Sequence, residues 1–137
     1  MVSLNERISA EIENVEISLG NLSKALGKSP KTVIELAAIA TFLHNIYNGI
    51  ENILKQTLKD QGREIAAGQS WHRELLLASV EKGIIAEALC GELFKYLGFR
   101  HFFVHSYGFM LQEDKVIVLA EDIPNIWKSF KAMIAKE

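Results

Sequence analysis

An all-α, antiparallel four-helix bundle with one short extra helix is the fold class that this sequence predicts. Three observations carry it. Apolar residues recur every three or four positions through most of the chain, only two prolines interrupt its 137 residues, and the segments joining the apolar stripes are short. Amphipathic helices joined so closely can hide their stripes only by packing on one another.

Ile8, Ile12, Val15, Leu19, Leu22 and Leu26 place one stripe on a first helix of roughly residues 3 to 27, which Gly27 ends. Ser29 before Pro30 predicts an N-cap with proline at the first helical position. The next stripe then runs from Val33 through Leu36, Ile39, Leu43, Ile46, Ile50 and Ile53 to Leu58, on a long helix ending about Asp60. Gln61 to Gln69, with Gly62 and Gly68 and no sustained stripe, is the main loop. Ser70 is placed as the cap of a short helix from Trp71 to Ala78. A third long helix carries Ile84, Ile85, Leu89, Leu93, Phe94 and Leu97 and continues past Gly98. Val116, Leu119, Ile123, Ile126, Phe130 and Met133 predict a last helix over roughly 113 to 135, kinked or restarted at Pro124.

Composition bounds the function. Apolar residues make up 49% and charged residues 23%, which suits a compact core and argues against disorder. No linker divides the chain, so residues 1–137 are expected to form a single domain. Cys90 is the only cysteine; it excludes an intrachain disulfide and reads as a small core residue. The amino end lacks the pattern of a secretory signal, and the richest apolar run, Ile34 to Leu43, is far short of a membrane span. A cytoplasmic protein without a membrane partner is expected. A net charge of −2 gives no bulk attraction to nucleic acid, so any RNA contact must be local.

Residues 100 to 107, Arg-His-Phe-Phe-Val-His-Ser-Tyr, are where costly polar side chains interrupt the apolar pattern. On a helix His101 and His105 lie one turn apart on nearly the same side, with Arg100 and Tyr107 close together on an adjoining side. Phe102, Phe103 and Val104 would anchor the remaining arc, and Gly108 leaves the helix end open. A guanidinium and two imidazoles suit a phosphodiester and proton movement near neutral pH.

These residues resemble the motif of HEPN-domain proteins of the HepT-like kind: an Arg, four to six residues, a His, and often a Tyr two residues on. The match is Arg100, His105 and Tyr107. The resemblance extends to Tyr47-Asn-Gly-Ile50-Glu51-Asn-Ile-Leu54, to Trp71-His-Arg-Glu-Leu-Leu76 and to the run leading into Phe99-Arg-His, and so covers most of the chain. Many relatives carry Asn after the Arg, where this chain has His101.

The resemblance implies a ribonuclease toxin paired with a minimal nucleotidyltransferase (MNT) antitoxin. It implies cleavage without metal or cofactor, by attack of the ribose 2′-OH, leaving a 2′,3′-cyclic phosphate. His105 would do acid–base work, Arg100 would stabilise the phosphate charge, and His101 would either assist as a second proton carrier or position the substrate. Tyr107 is implied as the residue to which the antitoxin attaches AMP. A homodimer bringing two motifs to one cleft is implied as well.

The remaining polar residues have plainer expectations. His44 and His72 read as capped or solvent-facing, and Tyr47 and Trp71 as core or interface aromatics. Glu11, Glu13, Glu16, Glu87 and Glu92 read as solvated faces without histidines at metal-binding spacing. Two other readings stand beside the nuclease: a non-catalytic module that binds or positions a nucleotidyltransferase, and a structural dimer whose octapeptide is an interfacial network.

Overall fold

The computed structural model describes residues 3–68, 70–107 and 113–135, the side chains of residues 106 and 107 excepted. Five helices account for most of them: α1 (Leu4–Leu26), α2 (Val33–Asp60), the short α3 (Trp71–Glu81), α4 (Glu87–Phe102) and α5 (Glu113–Ile134). A single π turn, Phe103–Tyr107, extends α4. There is no strand among the described residues. The bundle with one short extra helix is therefore the architecture found.

Helix α2 is the axis of the molecule and packs against all four other helices. Its Leu43, Ile46, Ile50, Ile53, Leu54 and Leu58 are fully buried, and each such side chain contributes about 1.5–3 kcal/mol of transfer free energy. Among the described residues α2 alone has the length and apolar content of a membrane span. Those apolar side chains are already engaged by the other helices, and a buried Glu51 interrupts them. Cys90 lies buried in the same core, its thiol pushed up first by burial and then by Glu87.

Several local expectations are corrected. Helix α2 starts at Val33, three residues after Pro30, because Thr32 and Glu35 form a capping box there. The Thr32 side chain accepts from the Ile34 amide at 3.2 Å, and Glu35 accepts from the Thr32 amide at 2.8 Å. Ser70 stands before α3 but its side chain makes no capping hydrogen bond. Ile84 and Ile85 precede α4 and plug the core from the connecting segment, 1% and 3% exposed. Helix α5 runs through Pro124 without division. Glu16 lies on an exposed face as expected, and there it accepts from Trp127 Nε1 at 3.2 Å and from Lys131, tying α1 to α5. Those two donors, Lys131 first, hold its carboxyl below the usual range.

Candidate functional site

The site is built on a polar stripe down one side of α2. At about 100° per residue, His44, Asn48, Glu51 and Lys55 fall within about 60° of one another. Helices α3 and α4 pack over this stripe, and Asn48, Glu51 and Lys55 each meet a partner from them. Asn48 accepts from Arg100 Nε at 3.3 Å through Oδ1. Its Nδ2 donates to His44 Nε2 at 3.0 Å. Glu51 accepts from His72 Nδ1, with its two oxygens at 2.9 and 3.0 Å. Lys55 lies 4.8 Å from the centroid of the Trp71 ring.

Asn48 thus works as a two-sided clamp. Its carbonyl holds the Arg100 guanidinium and its amide is satisfied by a neutral imidazole. Burial, and then the positive charge of Arg100, keep His44 below its ordinary histidine range. The His44 ring also lies 4.9 Å from that of Phe103, which packs 5.7 Å from Phe99, so Phe103 anchors the end of α4 as expected, whereas Phe102 lines a separate groove with Lys95 and Lys115. Val104 is 42% exposed.

Arg100, His101 and His105 come together on one open groove of about 880 Å³, with His72, Arg73 and Trp71 on the facing wall. The rings of His101 and His105 lie 4.3 Å apart, tilted by 46°. Arg73 is braced over Phe94, 5.4 Å from its ring centroid. Among the described residues no carboxylate lines the groove; Glu51, which holds His72, is 3% exposed. Two arginines and three histidines therefore surround a space open to solvent, an arrangement that concentrates positive charge in a chain of net charge −2. A second groove of about 470 Å³ begins on the other side of Trp71 and is lined by Lys55, Lys59, Arg63 and Glu64.

The sequence located Arg100, His101 and His105 correctly as neighbours on one cleft. Tyr107 is the backbone end of the π turn, and its side chain lies outside the described residues, as does Gly108. The expectation for His44 and His72 is overturned, since both are partly buried and hydrogen-bonded into the site. Tyr47 is a core residue, ring-stacked 6.5 Å from Tyr96 and with its hydroxyl pushed far up by burial and then by Glu51. Trp71 is half-buried, packed against the edge of the core on the ridge between the two grooves. Asn48 and Glu51 went unassigned in the sequence. The available signal was their spacing with His44 and Lys55, a polar column inside the most apolar helix of the chain.

With this geometry in view, the comparison with known families is informative. A family model described as HepT-like protein matches residues 38–136, from the first turns of α2 to the end of α5. The chain belongs to this HepT-like family, and its helical fold is a HEPN-type domain. No curated protein and no solved structure matches it.

Proposed function

We propose that the chain is an endoribonuclease toxin that cleaves RNA by intramolecular attack of a ribose 2′-OH, with its own side chains moving the protons. The observation that carries this reading is the convergence of Arg100, His101 and His105 on one solvent-open groove, with Arg100 fixed by Asn48. Family membership supports it.

In this reading the scissile phosphodiester lies across Arg100, whose guanidinium faces the charge that builds on the non-bridging oxygens. His105 takes the proton from the 2′-OH, O2′ bonds to phosphorus, and the bond to O5′ breaks. His101, its ring against that of His105, assists by holding His105 in place and sharing its proton. The products carry a 2′,3′-cyclic phosphate and a free 5′-OH. Lys55, Lys59 and Arg63 continue the cationic surface beyond Trp71, where a neighbouring stretch of RNA backbone would find counter-charges. The reading includes a homodimer, a cytoplasmic setting and an MNT-type nucleotidyltransferase antitoxin. AMP attached by that partner at Tyr107 would put a bulky anion beside the motif and repel RNA.

The test compares Arg100→Ala and His105→Ala with the parent on RNA, with end-group analysis of the products. Loss of cleavage by about 10²–10³-fold for Arg100→Ala and about 10²–10⁴-fold for His105→Ala is expected, with melting unchanged. Undiminished cleavage, or products ending in a 5′-phosphate, would sink the nuclease. Variants that lose only association with a nucleotidyltransferase would favour the non-catalytic module.

A further inference from the structure

Transfer between ribose oxygens at phosphorus needs two proton carriers, and in-line geometry places them on opposite sides of the phosphorus atom, one at O2′ and one at O5′. His101 and His105 of one protomer cannot divide that work. They lie ring against ring, 4.3 Å apart, at one end of α4 and its π turn, and so reach the phosphate from one side.

His72 comes from a different helix, α3, and lines the same groove. Its side chain is 15% exposed. Nδ1 donates to Glu51, a carboxylate only 3% exposed in the middle of the core helix. A carboxylate buried that deeply is costly unless an ionic or strongly hydrogen-bonded partner meets it. The packing of α2 does not call for one there, because its neighbours Ile50, Ile53 and Leu54 fill the core themselves. What the pair does achieve is orientation. With Nδ1 engaged, the tautomer is fixed, and Nε2 is the nitrogen left to exchange a proton. Nε2 has no hydrogen-bond partner among the described residues. The Trp71 ring, its centroid 3.6 Å from that of His72, holds the imidazole from the side.

We infer that His72 is a catalytic residue that protonates the leaving O5′, with Glu51 as its positioning residue. This rests on the nuclease reading above. The step balances without any co-reactant: His105 gains the 2′-OH proton as the O2′–P bond forms. His72 gives its Nε2 proton to O5′ as the P–O5′ bond breaks. Exchange with water then resets both rings.

The experiment uses the full chain and two substrates, an oligoribonucleotide with the natural 5′-oxygen leaving group and the same oligonucleotide with a 5′-bridging sulfur, which departs without protonation. His72→Asn keeps a donor near the Nδ1 position for Glu51 and removes the exchangeable ring nitrogen; thermal melting confirms that it folds. His72→Asn should cleave the natural RNA about 10²–10³-fold more slowly than the parent and the thiolate-leaving RNA within about tenfold of it. His105→Ala should be impaired on both, because O2′ still needs its proton removed. Glu51→Gln should show a weaker form of the His72→Asn pattern, with a shifted pH profile on the natural substrate only. Equal losses of His72→Asn on the two substrates, or natural cleavage at the parent's rate, would overturn the assignment while leaving the nuclease intact. A parent chain that cleaves neither substrate would remove the nuclease reading itself.

Discussion

Gly49 lies on α2 between the clamp residue Asn48 and the core residue Ile50, with Val15 of α1 against it. A Cβ built there would run into Val15 Cγ2 far inside van der Waals contact. Val15 is 2% exposed and β-branched, so it can neither swing out nor change rotamer freely. Gly49→Ala should therefore combine a helix-propensity gain of about 1 kcal/mol with an overpacking loss of about 1–3 kcal/mol. The loss should win, because the obstructing atom belongs to a buried side chain rather than to a flexible tip. A net destabilisation of up to about 2 kcal/mol is expected, or up to about 8 °C in Tm for a chain of this size. Gly20→Ala on α1 is the control: nothing lies within 4 Å of its added Cβ, so the same substitution should stabilise by about 0.5–1 kcal/mol. Equilibrium urea denaturation with unchanged slope measures both. Adding Val15→Ala should cost less in the Gly49→Ala background than in the parent, with a coupling energy of about 1 kcal/mol. If Gly49→Ala gains stability as Gly20→Ala does, or if the two sites prove additive, the close approach of α1 and α2 is not what requires a glycine there.

Further outcomes follow from the clamp. Asn48→Ala removes the acceptor for Arg100 and the donor for His44 together, so kcat for RNA cleavage should fall about 10–100-fold while the helical circular-dichroism spectrum stays that of the parent, which steady-state kinetics and spectroscopy can check. His44 is held neutral by burial and by Arg100; with the folded pKa below the unfolded one, its contribution to stability is complete above about pH 6.5 and is lost as pH falls through the lowered value. Urea midpoints measured from pH 7.5 to 5 should drop for the parent and drop less for His44→Gln, whereas the lowered carboxyls of Glu16 and Glu35 act only at more acid pH, below about 4.5.

Much of the fold was legible because it is local information repeated. A stripe such as Ile8, Ile12, Val15 and Leu19 defines the buried face of its helix without knowledge of any partner. The same holds for Arg100 and His105, whose relation is set within one helix end. What could not be read were pairings across the chain: Arg100 finds Asn48 from 52 positions away, and His72 finds Glu51 from 21. Periodicity gives the phase of each helix but not which helix lies alongside it, so His72 read as a surface histidine. The start of α2 failed for a different reason, two start signals in competition. Thr32-Val-Ile-Glu35 carries both halves of a capping box, and the reciprocal hydrogen bonds of that box prevailed over the single restraint that Pro30 places on φ.

The π turn at Phe103–Tyr107 bears on how such a motif can vary. A turn of this kind amounts to one residue inserted into an α-helix, the surplus taken up by a local widening with the flanking segments kept nearly in place. Here the widened turn begins at Phe103, within the interval that separates Arg100 from His105. Lengthening or shortening it by a residue can be absorbed as a change of helical type, with the guanidinium left on its clamp and the imidazole still over the groove. Counting intervening residues is thus a poor ruler for this pair, and position relative to Asn48 is a better one.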